Sequence, residues 1–252
     1  MTNETTNKLT DLGEDITNKE YYKQNGDPIK VPMPSDKEHI KKKGVNALNY
    51  GILTYFSNYQ DTHESEIDDY DTHRYIYEEG IIKDKELIEQ YSNTKINTFI
   101  RNARKLQKLT DGEFVTVDNV GGRTVYRLNK GGKYVLIERR ILEVLISCTN
   151  SEVIKMYMFF KWRCGEKGDI VSRKEIASYI GYSVKSCATL DKISNDIETF
   201  LVKLGLIRKE NIVLPSTEGK QYNKACFYQV VSYEEWIDFW NNGKNAVDFR
   251  DK

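Results

Sequence analysis

The chain has 252 residues, 39% hydrophobic, with 38 Lys plus Arg against 38 Asp plus Glu, which fits one large soluble domain or two small ones. No apolar run approaches the roughly 20 residues that span a bilayer, and the polar N-terminus MTNETTNKLTDLGED has no secretory core, so no membrane contact is expected. Cys148, Cys164, Cys187 and Cys226 form no CxxC pair; they fit small thiols in a reducing, cytoplasmic setting.

Residues 1–44 are rich in Asn, Thr, Asp, Glu and Lys and carry Pro28, Pro32 and Pro34. Proline removes helix-interior hydrogen bonds, so this stretch reads as a flexible N-terminal arm. Ala47, Tyr50, Ile52, Leu53, Tyr55 and Phe56 then recur at helical spacing. An acidic loop follows, from Ser57 to His73. Ile81-Ile82 reads as a short strand, and Leu87, Ile88 and Tyr91 as the inner face of a short helix. Asn93 or Thr94 is expected to cap the next helix, whose inner face is Ile96, Phe99, Ile100, Ala103 and Leu106. Asp111-Gly112 ends it. Phe114–Val117 and Thr124–Leu128, joined by Gly121-Gly122, read as a hairpin.

The second half repeats this order. Ile141–Ile146 and Val153–Trp162 give apolar helical faces, and Gly168–Val171 a strand. A short helix follows to Ile180, then a longer one from Thr189 to Leu204 with Leu190, Ile193, Ile197, Leu201 and Leu204 inward. Gly205 stops that helix without a Cβ penalty. Residues 206–209 and 225–231 make a second hairpin, with Pro215–Gly219 in its loop, and Tyr233–Trp240 a last helix. The segment 81–87 aligns with 170–176 at an offset of 89 (170 − 81). Helix, strand, two helices and hairpin is the order of a winged helix-turn-helix. The expected fold is therefore α+β: two tandem winged helices, residues 45–133 and 134–231, each a three-helix core with a β-hairpin wing. Residues 232–252 form a C-terminal helix and tail.

Ile154–Arg163, Ile176-Ala177-Ser178-Tyr179-Ile180-Gly181-Tyr182-Ser183 and Ile193 to Leu204-Gly205-Leu206-Ile207 resemble the winged-helix domain of phage and plasmid replication proteins of low-GC Gram-positive bacteria. That likeness covers about residues 134–231. The tandem architecture, about residues 45–231, is similar to plasmid replication initiators in which both halves contact an origin repeat. The resemblance implies binding of repeated origin sites and contact with host replication proteins. Val184–Thr189 is long for this family, and Asp191, Asp196 and Glu198 are acidic on a helix that would read bases.

Zero net charge conceals an asymmetry. Residues 46–93 hold three Lys or Arg against eleven acids, a net of −8, and residues 94–141 hold eleven against four, a net of +7. A local basic patch, not the whole-chain sum, attracts nucleic acid. Lys95, Asn97 and Thr98 lie near the N-terminus of the third helix, where helix-turn-helix proteins touch bases. Arg101 and Asn102 carry side chains that pair with guanine and adenine edges. Arg104, Lys105 and Lys108 are expected on phosphates. Arg123 at the hairpin tip suits a minor groove, and Arg127, Lys130 and Lys133 extend the same face. A solvated helix face is the plain alternative. In the second half the candidates are Lys185, Ser186, Thr189, Lys192, Ser194 and Asn195, preceded by Arg173 and Lys174; a dimerising or partner-binding domain is the alternative there.

The acidic segment Asp61, His63, Glu64, Glu66, Asp68, Asp69, Asp71 and His73 offers oxygen ligands, but it lacks an EF-hand glycine and reads as a solvated loop. No P-loop, GxSxG or HExxH occurs, and His39, His63 and His73 form no HxH pair. No enzyme activity, catalytic residue, metal or cofactor is therefore expected. Trp236, Phe239 and Trp240 share a face of the last helix and are expected to pack on the second domain. The expected function is binding of double-stranded DNA as a plasmid or phage replication initiator. A transcriptional regulator with one reading and one dimerising domain is the first alternative, and an interaction scaffold without DNA binding is the second. The expected partners are double-stranded DNA, further copies of the chain as a dimer or higher oligomer, and host replication proteins.

Overall fold

The computed structural model describes residues 30–59, 74–129, 132–214 and 223–241. The chain is α+β, with small antiparallel sheets, and divides into two compact units. One is Ile29–Ile154; the other, among the described residues, is 155–241. The division falls later than the 133/134 boundary read from the sequence, because helix 139–148 packs on helix 47–56 of the first unit.

The first unit opens with β1 (Lys30–Pro34) and α1 (Lys37–Ile40). Residues 30–44 are thus not part of a flexible arm; residues 1–29 lie outside the described residues. Val31 and Met33 alternate inward and are fully buried. Pro32 and Pro34 lack donors, so Val31, Met33 and then Ser35, whose amide donates to Lys133 O at 2.8 Å, are left to face the partner strand. That partner is β6 (Tyr134–Glu138), which pairs Val31 with Ile137 and Met33 with Val135.

α2 (Ala47–Phe56) starts at Asn46, whose side chain accepts from Leu48 N at 3.0 Å and Asn49 N at 3.2 Å. Gly51 lets α6 (Arg139–Cys148) approach: a Cβ there would sit 3.0 Å from Ile146 Cγ2. β2 (Asn58–Tyr59) and β3 (Arg74–Tyr77) come next. The acidic residues 61–73 lie outside the described residues.

Ile81 and Ile82 are not a strand. They belong to α3 (Glu78–Lys83), because only Ile81 turns inward while Ile82 is 52% exposed, and β3 already supplies the strand. α4 (Lys85–Ser92) and α5 (Ile96–Leu109) follow, then a hairpin of β4 (Val115–Val120) and β5 (Arg123–Leu128). Gly121 (φ 58°) and Gly122 (φ 81°) give the two positive φ values of a type I′ turn. The sheet runs β2-β3-β5-β4.

α7 (Ser151–Arg163) spans the division. In the second unit β7 (Asp169–Ile170) leads straight into α8 (Arg173–Ile180). Ser172 and Glu175 form a reciprocal capping box there, and Gly181 ends α8 at φ 87°. α9 (Cys187–Asp196) continues into a π-helical stretch, Ile197–Val202. Ile193, Ile197 and Leu201 are spaced by fours, which drifts around an α-helix; the wider turn keeps all three buried. Leu204 is buried too, and Leu190 is half-buried. β8 (Ile207–Leu214) and β9 (Asn223–Val230) complete a sheet in the order β7-β9-β8. The loop 215–222 lies outside the described residues. In α10 (Tyr233–Asn241) the fully buried Trp236 donates from Nε1 to Leu204 O at 2.9 Å, and Phe239 is 7% exposed.

The two units share a strand order, β3-β5-β4 and β7-β9-β8. The offset of 89 through Ile81 does not describe the match. α4 and α8 are each eight residues and start 88 apart (173 − 85), and α3 is inserted in the first unit alone.

Candidate nucleic-acid interface

α5 carries the densest set of sequence-derived candidates. Ile96, Phe99, Ala103 and Leu106 bury one face. Asn97, Arg101, Lys105 and Lys108 recur at i, i+4, i+8 and i+11, so they line up along the opposite face, and all four are exposed. Among the described residues Arg101, Lys105 and Lys108 form no ion pair, unlike Lys95, Arg104, Arg123 and Arg127 beside them. Thr98 and Asn102 border this stripe and are half-buried.

Neither Asn93 nor Thr94 caps this helix. Asn93 adopts the left-handed conformation (φ 49°) that ends α4, and Lys95 holds the capping position without a capping side chain. Glu89 does the work from α4: its Oε1 accepts from Ile96 N at 2.8 Å, while Oε2 lies 3.8 Å from Lys95 Nζ. The Glu89 carboxylate therefore fixes the corner between α4 and α5. The Lys95 side chain remains 87% exposed.

The cations flanking the stripe are held. Arg104 Nη2 donates to Glu78 Oε2 at 2.6 Å, and its Nε donates to the Tyr126 hydroxyl at 3.2 Å. Tyr126 in turn donates to Glu78 at 2.6 Å. Burial, followed by the Glu78 contact, raises the Tyr126 phenol above its ordinary range, and the hydrogen bonds to Tyr126 and Glu78 keep Arg104 firmly charged. Arg123 pairs with Glu79 at 3.3 Å and lies 4.1 Å over the Tyr77 ring. Hydrogen bonding to its own backbone and to Arg123 lowers the Glu79 carboxyl. Arg127 pairs with Asp118 at 3.1 Å. Arg123 and Arg127 are thus side chains with intramolecular partners. Lys133 is exposed, and Lys130 lies outside the described residues.

Reading α5 alone missed Glu78, Glu79 and Glu89. The signal was present in the charge blocks: these three acids come from the −8 segment and meet Arg104, Arg123 and Lys95 of the +7 segment.

The corresponding helix of the second unit differs. Lys192 Nζ lies 2.6 Å from Asp196 Oδ2 and 5.9 Å from the Tyr182 ring. Asp191 holds Arg173 at 3.1 Å, and Glu198 pairs with Lys209. Lys174, Lys185 and Asn195 are exposed, Thr189 and Ser194 are half-buried, and Ser186 caps α9 through Thr189 N at 3.3 Å. The described candidates on α9 include no run of cations outside ion pairs like that on α5. Trp162, 53% exposed, stacks on Tyr179 at 6.1 Å.

Among the described residues no group of three His, Cys, Asp or Glu side chains could hold a metal ion, and no helix is long and apolar enough to cross a membrane. Comparison with protein-family models, curated proteins and solved structures gives no match.

Proposed function

We propose that both units are winged helix-turn-helix domains and that the chain binds double-stranded DNA, with α5 in the major groove and the β4–β5 hairpin as the wing beside it. The observation that carries this is the stripe of Asn97, Arg101, Lys105 and Lys108, whose cations have no ion-pair partner among the described residues. Cations at helical spacing match the regular charge of a phosphate backbone and release its counterions. Asn97 and Arg101, nearer the helix N-terminus, take the base-reading role, and Lys105 and Lys108 hold phosphates. The shared strand order of the two units and the resemblance to plasmid and phage initiators favour origin binding as the biological role. Direct repeats beside the gene would support that role, and a lone promoter palindrome would support a transcriptional one.

The second unit is read as a dimerising or partner-binding winged helix. Its favouring observation is the occupation of Arg173, Lys192 and Lys209 by Asp191, Asp196 and Glu198. The test of the whole reading is fluorescence anisotropy of labelled duplexes across a salt series, with wild type and Arg101→Ala/Lys105→Ala. Affinity that weakens steeply with salt and largely disappears in the double variant is expected. Absence of wild-type binding at low salt would leave only the scaffold alternative.

A further inference from the structure

The α3 insertion distinguishes the two units, and its first two residues are both acidic. Glu78 holds Arg104 on the flank of the α5 stripe, and Glu79 holds Arg123 at the hairpin tip. In the second unit β7 runs through Val171-Ser172 into α8, with no helix in between. We propose that Glu78 and Glu79 are specificity-determining residues, which keep Arg104 and Arg123 off the DNA backbone and so suppress sequence-independent binding. This inference rests on the DNA-binding reading of α5.

Exposed ion pairs are individually weak, so phosphates can compete for both arginines. Displacement, however, leaves two bare carboxylates beside a polyanion, and their repulsion opposes it. Nonspecific affinity rises with the number of phosphates neutralised, whereas base contacts from the stripe do not depend on the flanking arginines. Withholding two cations therefore lowers the sequence-independent background and leaves the base contacts of the stripe to set sequence preference. The Tyr77 ring under Arg123 and the Tyr126 hydroxyl on Arg104 hold the two guanidinium groups in the retracted position.

The test uses full-length Glu78→Gln/Glu79→Gln and random-sequence duplex DNA, titrated by anisotropy between 50 and 200 mM salt. Glutamine keeps an acceptor for Tyr126 and removes both charges. Two released arginines steepen the slope of log affinity against log salt by about 1.8, so the variant's gain over wild type grows roughly tenfold from 200 to 50 mM. A second variant, Glu78→Gln/Glu79→Gln/Arg104→Gln/Arg123→Gln, which removes both ion pairs whole and leaves the net charge unchanged, should bind random DNA as wild type does. An unchanged or shallower slope in the first variant overturns the inference, as does a loss in the second variant as large as that from Arg101→Ala/Lys105→Ala; the acids would then be positioning the arginines on DNA. If neither wild type nor the glutamine variant binds, the DNA reading fails and the inference with it.

Discussion

Replacing Glu89 with Ala removes the carboxylate that joins α4 to the start of α5. The lost bond is 2.8 Å long, from Ile96 N, and Ile96 is 9% exposed, so water replaces it poorly. Loss of a capping side chain costs about 0.5–2 kcal/mol, and a hydrogen bond to a charged group contributes about 1.5–3 kcal/mol. The Glu89–Lys95 pair adds little, because Lys95 is 87% exposed. A net loss of about 1.5 kcal/mol lowers the melting temperature of the first unit by roughly 6 °C, at about 4 °C per kcal/mol for a unit of this size. Glu89→Gln keeps the acceptor and should lose less than half as much. Thermal denaturation followed by circular dichroism measures both. If Glu89→Ala melts within about 1 °C of wild type, or if Gln is as damaging as Ala, the capping role assigned to this carboxylate is wrong.

Three further outcomes test the second unit. Gly168 has φ 76°, and a Cβ there would run into the Phe227 ring, whereas Gly165 has φ 52° and open space around it. Gly168→Ala should therefore cost about 3 kcal/mol and Gly165→Ala only about 1 kcal/mol, measured by urea denaturation; equal costs would remove the ring from the explanation. Trp236→Phe deletes the donor to Leu204 O and part of a fully buried side chain, for a loss of about 2 kcal/mol by the same method. Burial pushes the Cys164 thiol up to about 11 and Cys164 is 6% exposed. Only about one thiol in a thousand is then ionised at pH 8, so iodoacetamide should modify exposed Cys187 far faster, as read by peptide mass spectrometry.

Periodicity made most helices legible. α2, α5, α6 and α7 lie where apolar residues recur at helical spacing, and the Gly121-Gly122 turn was readable from its two glycines. Order along the chain was less legible where a competing pattern intervened. Ile81-Ile82 has strand-like composition, yet β3 precedes it and Glu78-Glu79 opens a helix. Pro32 and Pro34 argued for an unstructured arm. They are two residues apart, so a two-stranded ribbon tolerates them. Helix spacing put Asn97, Arg101, Lys105 and Lys108 among the outer-face candidates of α5 without setting Arg104 apart from them. It could not reveal that Arg104, Arg123 and Arg127 are engaged, because their partners lie 26, 44 and 9 residues away in sequence. The acid for the α5 cap was hidden likewise: local capping rules looked at Asn93 and Thr94, whereas Glu89 reaches across the turn.

The most direct measurement compares two charge-matched triple variants by salt-dependent anisotropy on duplex DNA. Arg101→Ala/Lys105→Ala/Lys108→Ala removes three stripe cations, and Lys167→Ala/Lys174→Ala/Lys185→Ala removes three exposed lysines of the second unit. The stripe variant should lose about 2.7 from the slope of log affinity against log salt, at about 0.9 per phosphate, and the control less than about 0.5. Equal losses would mean that overall charge, not α5, binds the DNA, and no loss in either would contradict the interface altogether.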